Sequence, residues 1–213
     1  MLTIEQDIKE FNYIEIIDIN ESIKKISDLS FKVRLRALNT LISSNRNESI
    51  TGFSTLSFEL IQFSRKLEDK TEILKSLIYD ILLNSTNKKK IDKTTDLFIR
   101  ANDILILHLD DKVAESIDIL QYIQNKNQNE KQIIAGTLFN DIKNLLKNIK
   151  TILKLCSTGK TIAMLAKIES AYMKVNKSIY LQLAEDVSDY LTEAETTLKS
   201  IQSYILKQYN EKV

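Results

Sequence analysis

The sequence predicts an all-α protein, an antiparallel bundle of long helices around a four-helix core. Three observations carry this. Among 213 residues there is no proline and only three glycines, so the residues that most often end helices and open turns are nearly missing. Ile, Leu, Val and Phe recur in steps of three and four almost throughout, the spacing that lays an apolar stripe along one face of a helix. Short polar runs rich in Asn, Ser and Lys divide the apolar stretches. Helices of this length and spacing pack as antiparallel bundles with shallow crossing angles. The chain is long enough for one large domain, either as a single bundle over 1–213 or as two hairpin repeats, about 19–84 and 130–210, joined by a helix at 91–124.

The elements follow in order. A first segment, about Leu2 to Ile17, carries Ile4, Ile8, Phe11, Ile14 and Ile17. Asn20 then offers an N-cap, followed by Glu21, for a helix to Asn45 whose inward stripe is Ile19, Ile23, Ile26, Ser30, Val33 and Ala37. The polar run 45–49 breaks the chain. A third helix runs from Thr51 to Leu83 with Phe53, Leu56, Leu60, Phe63, Leu67, Leu74, Leu77 and Ile81 inward. Asn84 to Lys90 reads as a connection. The next helix, about Ile91 to Gln124, is apolar on more than one side at Ile104–Leu109, as a central helix would be. Asn125–Asn129 reads as a loop. Glu130–Leu155 and Lys160–Met173 are either two helices broken at Gly159 or one, because a helical glycine costs only ~1 kcal/mol. A last helix spans about Asn176 to Tyr209.

Composition removes several function classes. Thirty basic and 29 acidic residues leave a net charge of +1, which gives no electrostatic case for nucleic acid or an acidic membrane. Lys88-Lys89-Lys90 reads as part of a solvated loop. No apolar run approaches the ~20 residues of a membrane span. The start brings acids where a signal peptide needs bases, and the single cysteine, Cys156, stands in an apolar stretch as a buried hydrophobe. These point to a cytoplasmic chain without membrane insertion.

Catalytic and metal chemistry find no foothold. Ser157-Thr158-Gly159-Lys160-Thr161 ends like a phosphate-binding loop, but Lys154 stands where the first glycine is required and no strand precedes it. A helix break accounts for it better. His108 is the only histidine, so no zinc cluster can form. Asp110, Asp111 and Glu115 read as solvated acids, and the tyrosines as packing residues with wet tips. Neither a cofactor nor a catalytic residue is expected.

One segment resembles a known family. Ala37-Leu38-Asn39-Thr40-Leu41-Ile42-Ser43-Ser44-Asn45-Arg46, followed by Gly52-Phe53-Ser54-Thr55-Leu56-Ser57-Phe58-Glu59-Leu60, resembles the cytoplasmic hairpin tip of methyl-accepting chemotaxis receptors. That tip reads A-L-N-A-x-I-E-A-A-R, a glycine-rich turn, then G-F-A-V-V-A-x-E-V-R. Ala37, Leu38, Asn39, Ile42, Arg46, Gly52, Phe53 and Glu59 match in identity, and the resemblance covers about Ile23 to Leu83. Two departures stand out: the turn is one residue shorter with only Gly52 of three glycines, and Ser43 replaces a glutamate. The resemblance implies that Phe31, Leu35, Leu38, Asn39, Arg46, Gly52, Phe53 and Thr55 form a partner-binding surface. It implies as partners a chemotaxis kinase, its coupling protein or receptor-like helices.

A weaker echo lies in Ile168-Glu169-Ser170-Ala171-Tyr172, a polar turn over 174–178, and Tyr180 with Asp186 at the family's spacing. If 130–173 is one helix the two tips fall at opposite ends of the bundle; a break at Gly159 lets them lie side by side. The expectation for function is a non-enzymatic, receptor-like signalling adaptor or scaffold, homo-oligomeric or not. The alternative is a structural subunit that self-assembles, burying Phe31, Leu35 and Leu38 in its own contacts.

Overall fold

The computed structural model describes residues 13–45, 51–107, 114–173 and 177–210. Four helices account for nearly all of them: α1 (Tyr13–Asn45), α2 (Thr51–Leu107), α3 (Ala114–Ala171) and α4 (Lys177–Asn210). α1 abuts α2 and α4, and α3 abuts α2 and α4, leaving α1–α3 and α2–α4 as the diagonals of an antiparallel four-helix bundle. At ~1.5 Å per residue, α1 and α4 are about 50 Å long and α2 and α3 about 85 Å. The long pair therefore outruns the short pair and continues as a two-helix stalk.

The inward stripes fall where the spacing places them. Ile19, Ile23, Ile26, Ser30, Val33 and Ala37 are buried on α1, as are Leu60, Phe63, Leu67, Leu74 and Ile81 on α2. Leu56 and Leu77 are half-buried, and the Phe53 side chain lies outside the described residues. Each large side chain taken fully from water contributes about 1.5–3 kcal/mol. The core changes character along its axis. Near α1's start it is filled by Ile16, Ile23, Ile142, Leu145 and Ile205; toward the end of α1 and the start of α4, small residues such as Ser30, Ala37, Ser64, Ala163, Ala166 and Ala184 join Leu60, Phe63 and Tyr180. Small residues let backbones approach, and Ser30 Oγ donates to the Ser64 carbonyl at 3.1 Å across α1 and α2.

Several expected boundaries are absent. α1 runs through Asn20, which is interior and caps nothing, and Ile17 is exposed. α2 runs through 84–90, and α3 through 125–129. The polar residues there stay helical because partners occupy their side chains. Asn84 Nδ2 donates to Asp141 Oδ2 at 3.1 Å, Asn127 Nδ2 to Thr95 Oγ1 at 3.3 Å, and Thr86 Oγ1 to the Leu82 carbonyl. Lys88 is buried and points at Asp92 at 3.9 Å, so it is no loop residue. The helix expected over 91–124 is instead the end of α2 and the beginning of α3. His108, Asp110 and Asp111 fall outside the described residues, and Ile104, expected centrally, is exposed.

α3 is also continuous through Gly159, so Ser157–Thr161 is helix interior and not a break. The glycine serves packing. A Cβ built there would lie 2.6 Å from Phe63 Cζ and 2.7 Å from Leu191 Cδ1, so the missing side chain is the space in which α2 and α4 reach α3. With two expected loops gone and one new turn between α2 and α3, both tips lie at the same end despite the unbroken α3. The ion pair Arg36–Asp186 at 2.9 Å joins α1 to α4 close to both turns.

Two glycines in one helix should therefore respond oppositely to alanine. Gly136→Ala, with nothing within 4 Å of the new methyl, should gain up to ~1 kcal/mol in urea unfolding. Gly159→Ala should lose about 1–3 kcal/mol by overpacking. A gain at both positions would show that Gly159 is not a packing residue.

Candidate functional site

The end of the bundle where α1 ends and α4 begins is the candidate site, marked by exposed apolar side chains. On α1, Phe31, Leu35, Leu38 and Ile42 recur in steps of three and four on the face opposite the buried stripe. Their exposures are 51%, 46%, 39% and 54%. Amphipathic helices ordinarily place charge on that face. Arg34 Cζ sits 5.6 Å from the Phe31 ring centroid, and its guanidinium also donates to Glu68 Oε2 at 2.7 Å. Phe31 is thus held at the helix surface by a cation–π contact.

Of the residues named from sequence, Phe31, Leu35, Leu38, Asn39 and Thr55 are exposed. The first four share α1's outer side near the turn. Gly52 and Phe53 stand in the first turn of α2, where the side chains lie outside the described residues, as does Arg46 entirely. Asn39 lines a groove of about 360 Å³ between α1 and α4, together with Arg36, Thr40, Ile179, Tyr180 and Asp186. The Arg36–Asp186 pair bounds it on one side and the buried Tyr180 ring on another. Desolvation by burial raises the Tyr180 hydroxyl pKa above its ordinary value.

The second hairpin adds what the named set omits. Met164, Leu165 and Ile168 on α3, Tyr172 just after it and Ile179 on α4 are exposed at the same end, and Phe58 is exposed on α2. The echo around Ile168 was the available signal. Counted back from the two turns, the hairpins bury equivalent positions: Ile16, Ile23, Ser30 and Ala37 on α1 answer to Ile142, Ile149, Cys156 and Ala163 on α3. Tyr122 and Tyr172 are largely exposed, so they do not pack within the chain as the sequence suggested, whereas Tyr180 does.

Ion pairs tie each neighbouring helix to the next below this surface. Lys25–Glu193 joins α1 to α4 at 2.7 Å, and Lys160–Glu195 joins α3 to α4 at 2.5 Å. Hydrogen bonds from Lys160 and Lys199 hold Glu195 below the usual carboxylate range, and one from Lys25 does so for Glu193. Being partly exposed, such pairs fix register more than they stabilise. Among the described residues, no three of His, Cys, Asp and Glu stand close enough to hold a metal ion, and no helix is long and apolar enough to cross a membrane. Comparison with known proteins finds no matching family model and no similar curated protein.

Cys156 is fully buried, and burial first, then Glu195, pushes its thiol up to about 11. A thiol so raised in the folded state favours folding fully below its unfolded value of 9.0 and loses that contribution as pH rises toward 11. Native protein should resist a thiol reagent at pH 8 and react once unfolded in urea. The stability difference between wild type and Cys156→Ala should shrink from pH 9 to 11. Fast native labelling would contradict the burial.

Proposed function

We propose that the chain is a non-enzymatic signalling adaptor or scaffold, acting in the cytoplasm through protein–protein contacts at the end of the bundle where both turns lie. The single observation that carries this is the exposed stripe Phe31, Leu35, Leu38 and Ile42. The chain's own described helices leave these residues uncovered. Here the inward stripe of α1 already satisfies α2 and α4, and the outer stripe is spare. The receptor-tip resemblance falls on the same residues and supplies the partner class: a chemotaxis-type kinase, its coupling protein, or receptor-like helices. Exposed apolar residues beside an arginine are the kind of anchors on which docking energy concentrates.

Docking would proceed by laying a partner helix or edge along α1's outer face and the adjoining α1–α4 groove. Leu38→Glu should weaken capture of a kinase or coupling protein from the source cell at least tenfold while leaving helicity unchanged. Ile17→Glu, an equally exposed apolar residue far down the same helix, should leave capture intact. Equal capture by wild type and Leu38→Glu would overturn the assignment.

A further inference from the structure

The face of the α2/α3 pair turned away from α1 and α4 carries three zones. Residues level with one another on the two helices are set by the contacts Asn84–Asp141, Asp92–Lys131 and Thr95–Asn127. Near the turns, Phe58 on α2 is level with Met164 and Ile168 on α3, all three exposed. In the middle, α3 presents Lys143, Lys147, Lys150 and Lys154, all exposed and with no acid among them on that face. At those heights α2 presents Asp69 and Asp80, also exposed, whereas Glu72 is paired at 2.6 Å with Lys75, which reaches Ser27 of α1.

In the stalk the apolar side of the pair changes hands. Within the bundle, the side facing α1 and α4 is apolar. Beyond the ends of α1 and α4 that side becomes Lys88, Asp92, Thr95, Asn102, Gln124 and Lys131, with Ile99 the exception. No described residue between Lys88 and Leu138 is buried, and Asn102 Oδ1 is enclosed without a hydrogen-bond partner among the described residues. The opposite side gains Leu97 and Ile104 on α2 and Ile119, Tyr122 and Ile133 on α3, all exposed. A sequence that moves its apolar stripe to the other flank where its own helices run out is built for a contact on that flank.

We infer that this face binds a second copy of the chain, the two molecules related by a two-fold axis parallel to the bundle. That operation sets α2 against the partner's α3 at equal height. The acids of α2 then oppose the lysines of the partner's α3, twice by symmetry. In the stalk it brings Ile104 to the level of the partner subunit's Ile119, Arg100 to that of the partner subunit's Tyr122, and Lys93 to that of the partner subunit's Glu130. The alternative axis, perpendicular to the bundle, would set lysines on lysines and acids on acids, which like-charge repulsion disfavours. The face is large enough: a two-helix surface ~20 Å wide over the ~27 Å stalk alone buries roughly 1,000 Å² between two copies, and engagement along the bundle adds to this. That reaches the range of specific interfaces. The tip surface on α1 stays free, so this inference stands independently of the proposed function.

Sedimentation equilibrium of the full chain should give a dimer at micromolar concentration. Lys143→Glu with Lys154→Glu, or Asp69→Lys with Asp80→Lys, should each weaken it at least tenfold, with helicity by circular dichroism unchanged. All four substitutions in one chain should restore it, because the swapped charges meet again across the axis. A monomeric wild type at 100 µM, a dimer indifferent to either reversal, or a four-fold variant that stays monomeric would overturn the inference. A monomeric wild type that instead binds vesicles of anionic lipid would assign the lysine stripe to a membrane surface.

Discussion

The antiparallel pairing of α2 with α3 is the constraint from which the rest of the molecule follows. Because both helices run unbroken for about 85 Å, the register between them sets the height of every other feature. It brings the turns at 46–50 and 174–176 to one end, so that α1 and α4 can lie side by side on the same flank of the pair. It also leaves the opposite flank without cover from this chain. Toward the end shared with α1 and α4 the pairing depends on Gly159, where Phe63 of α2 enters the space a side chain would fill. The ion pairs and buried serines refine an arrangement that this close approach already permits.

The bundle separates two tasks along its length. Away from residues 45 and 177 the core is filled with Ile and Leu, while toward them Ala, Ser and Thr join Leu60, Phe63 and Tyr180. Small residues bury less area each, and several large apolar residues of that end are turned outward on α1, α3 and α4. Hydrophobic capacity is thus moved from the inside to the surface at the end proposed to dock a partner. The stalk makes the same exchange on a different flank, where Leu97 and Ile104 lie outside and Lys88 and Asn102 lie within.

Much of this was legible in the sequence, and the reasons for the rest are physical. The near absence of proline and glycine gave the fold class, and three-and-four spacing placed Ile19, Ile23, Ile26, Ser30, Val33 and Ala37 inward correctly, though it missed Leu29. Loop positions were misread because polarity is a poor signal where tertiary partners exist: Asn84 and Asn127 stay helical by bonding across the α2–α3 seam. The division between α2 and α3 was invisible for the opposite reason, since the polar run Asp110-Asp111-Lys112 is shorter than the polar runs that remain helical. Gly159 could not be resolved locally, because its role depends on Phe63 and Leu191, distant in sequence. At the tip, Leu38 and Asn39 were found through resemblance, whereas Phe58 and Ile179 show themselves only as exposed apolar residues in the folded chain.

The arrangement of the two hairpins is what the account depends on most, and a distance decides it. Spin labels at Asn39→Cys on α1 and Gln182→Cys on α4, in a Cys156→Ala background, sit at exposed positions on either side of the Arg36–Asp186 pair. Double electron–electron resonance with unlabelled protein in excess should give a narrow distribution centred at about 20 Å, as for two neighbouring helices at the same height. A distribution centred near 50 Å, the length of α1, would place the two turns at opposite ends and contradict both the topology and the shared docking surface built on it.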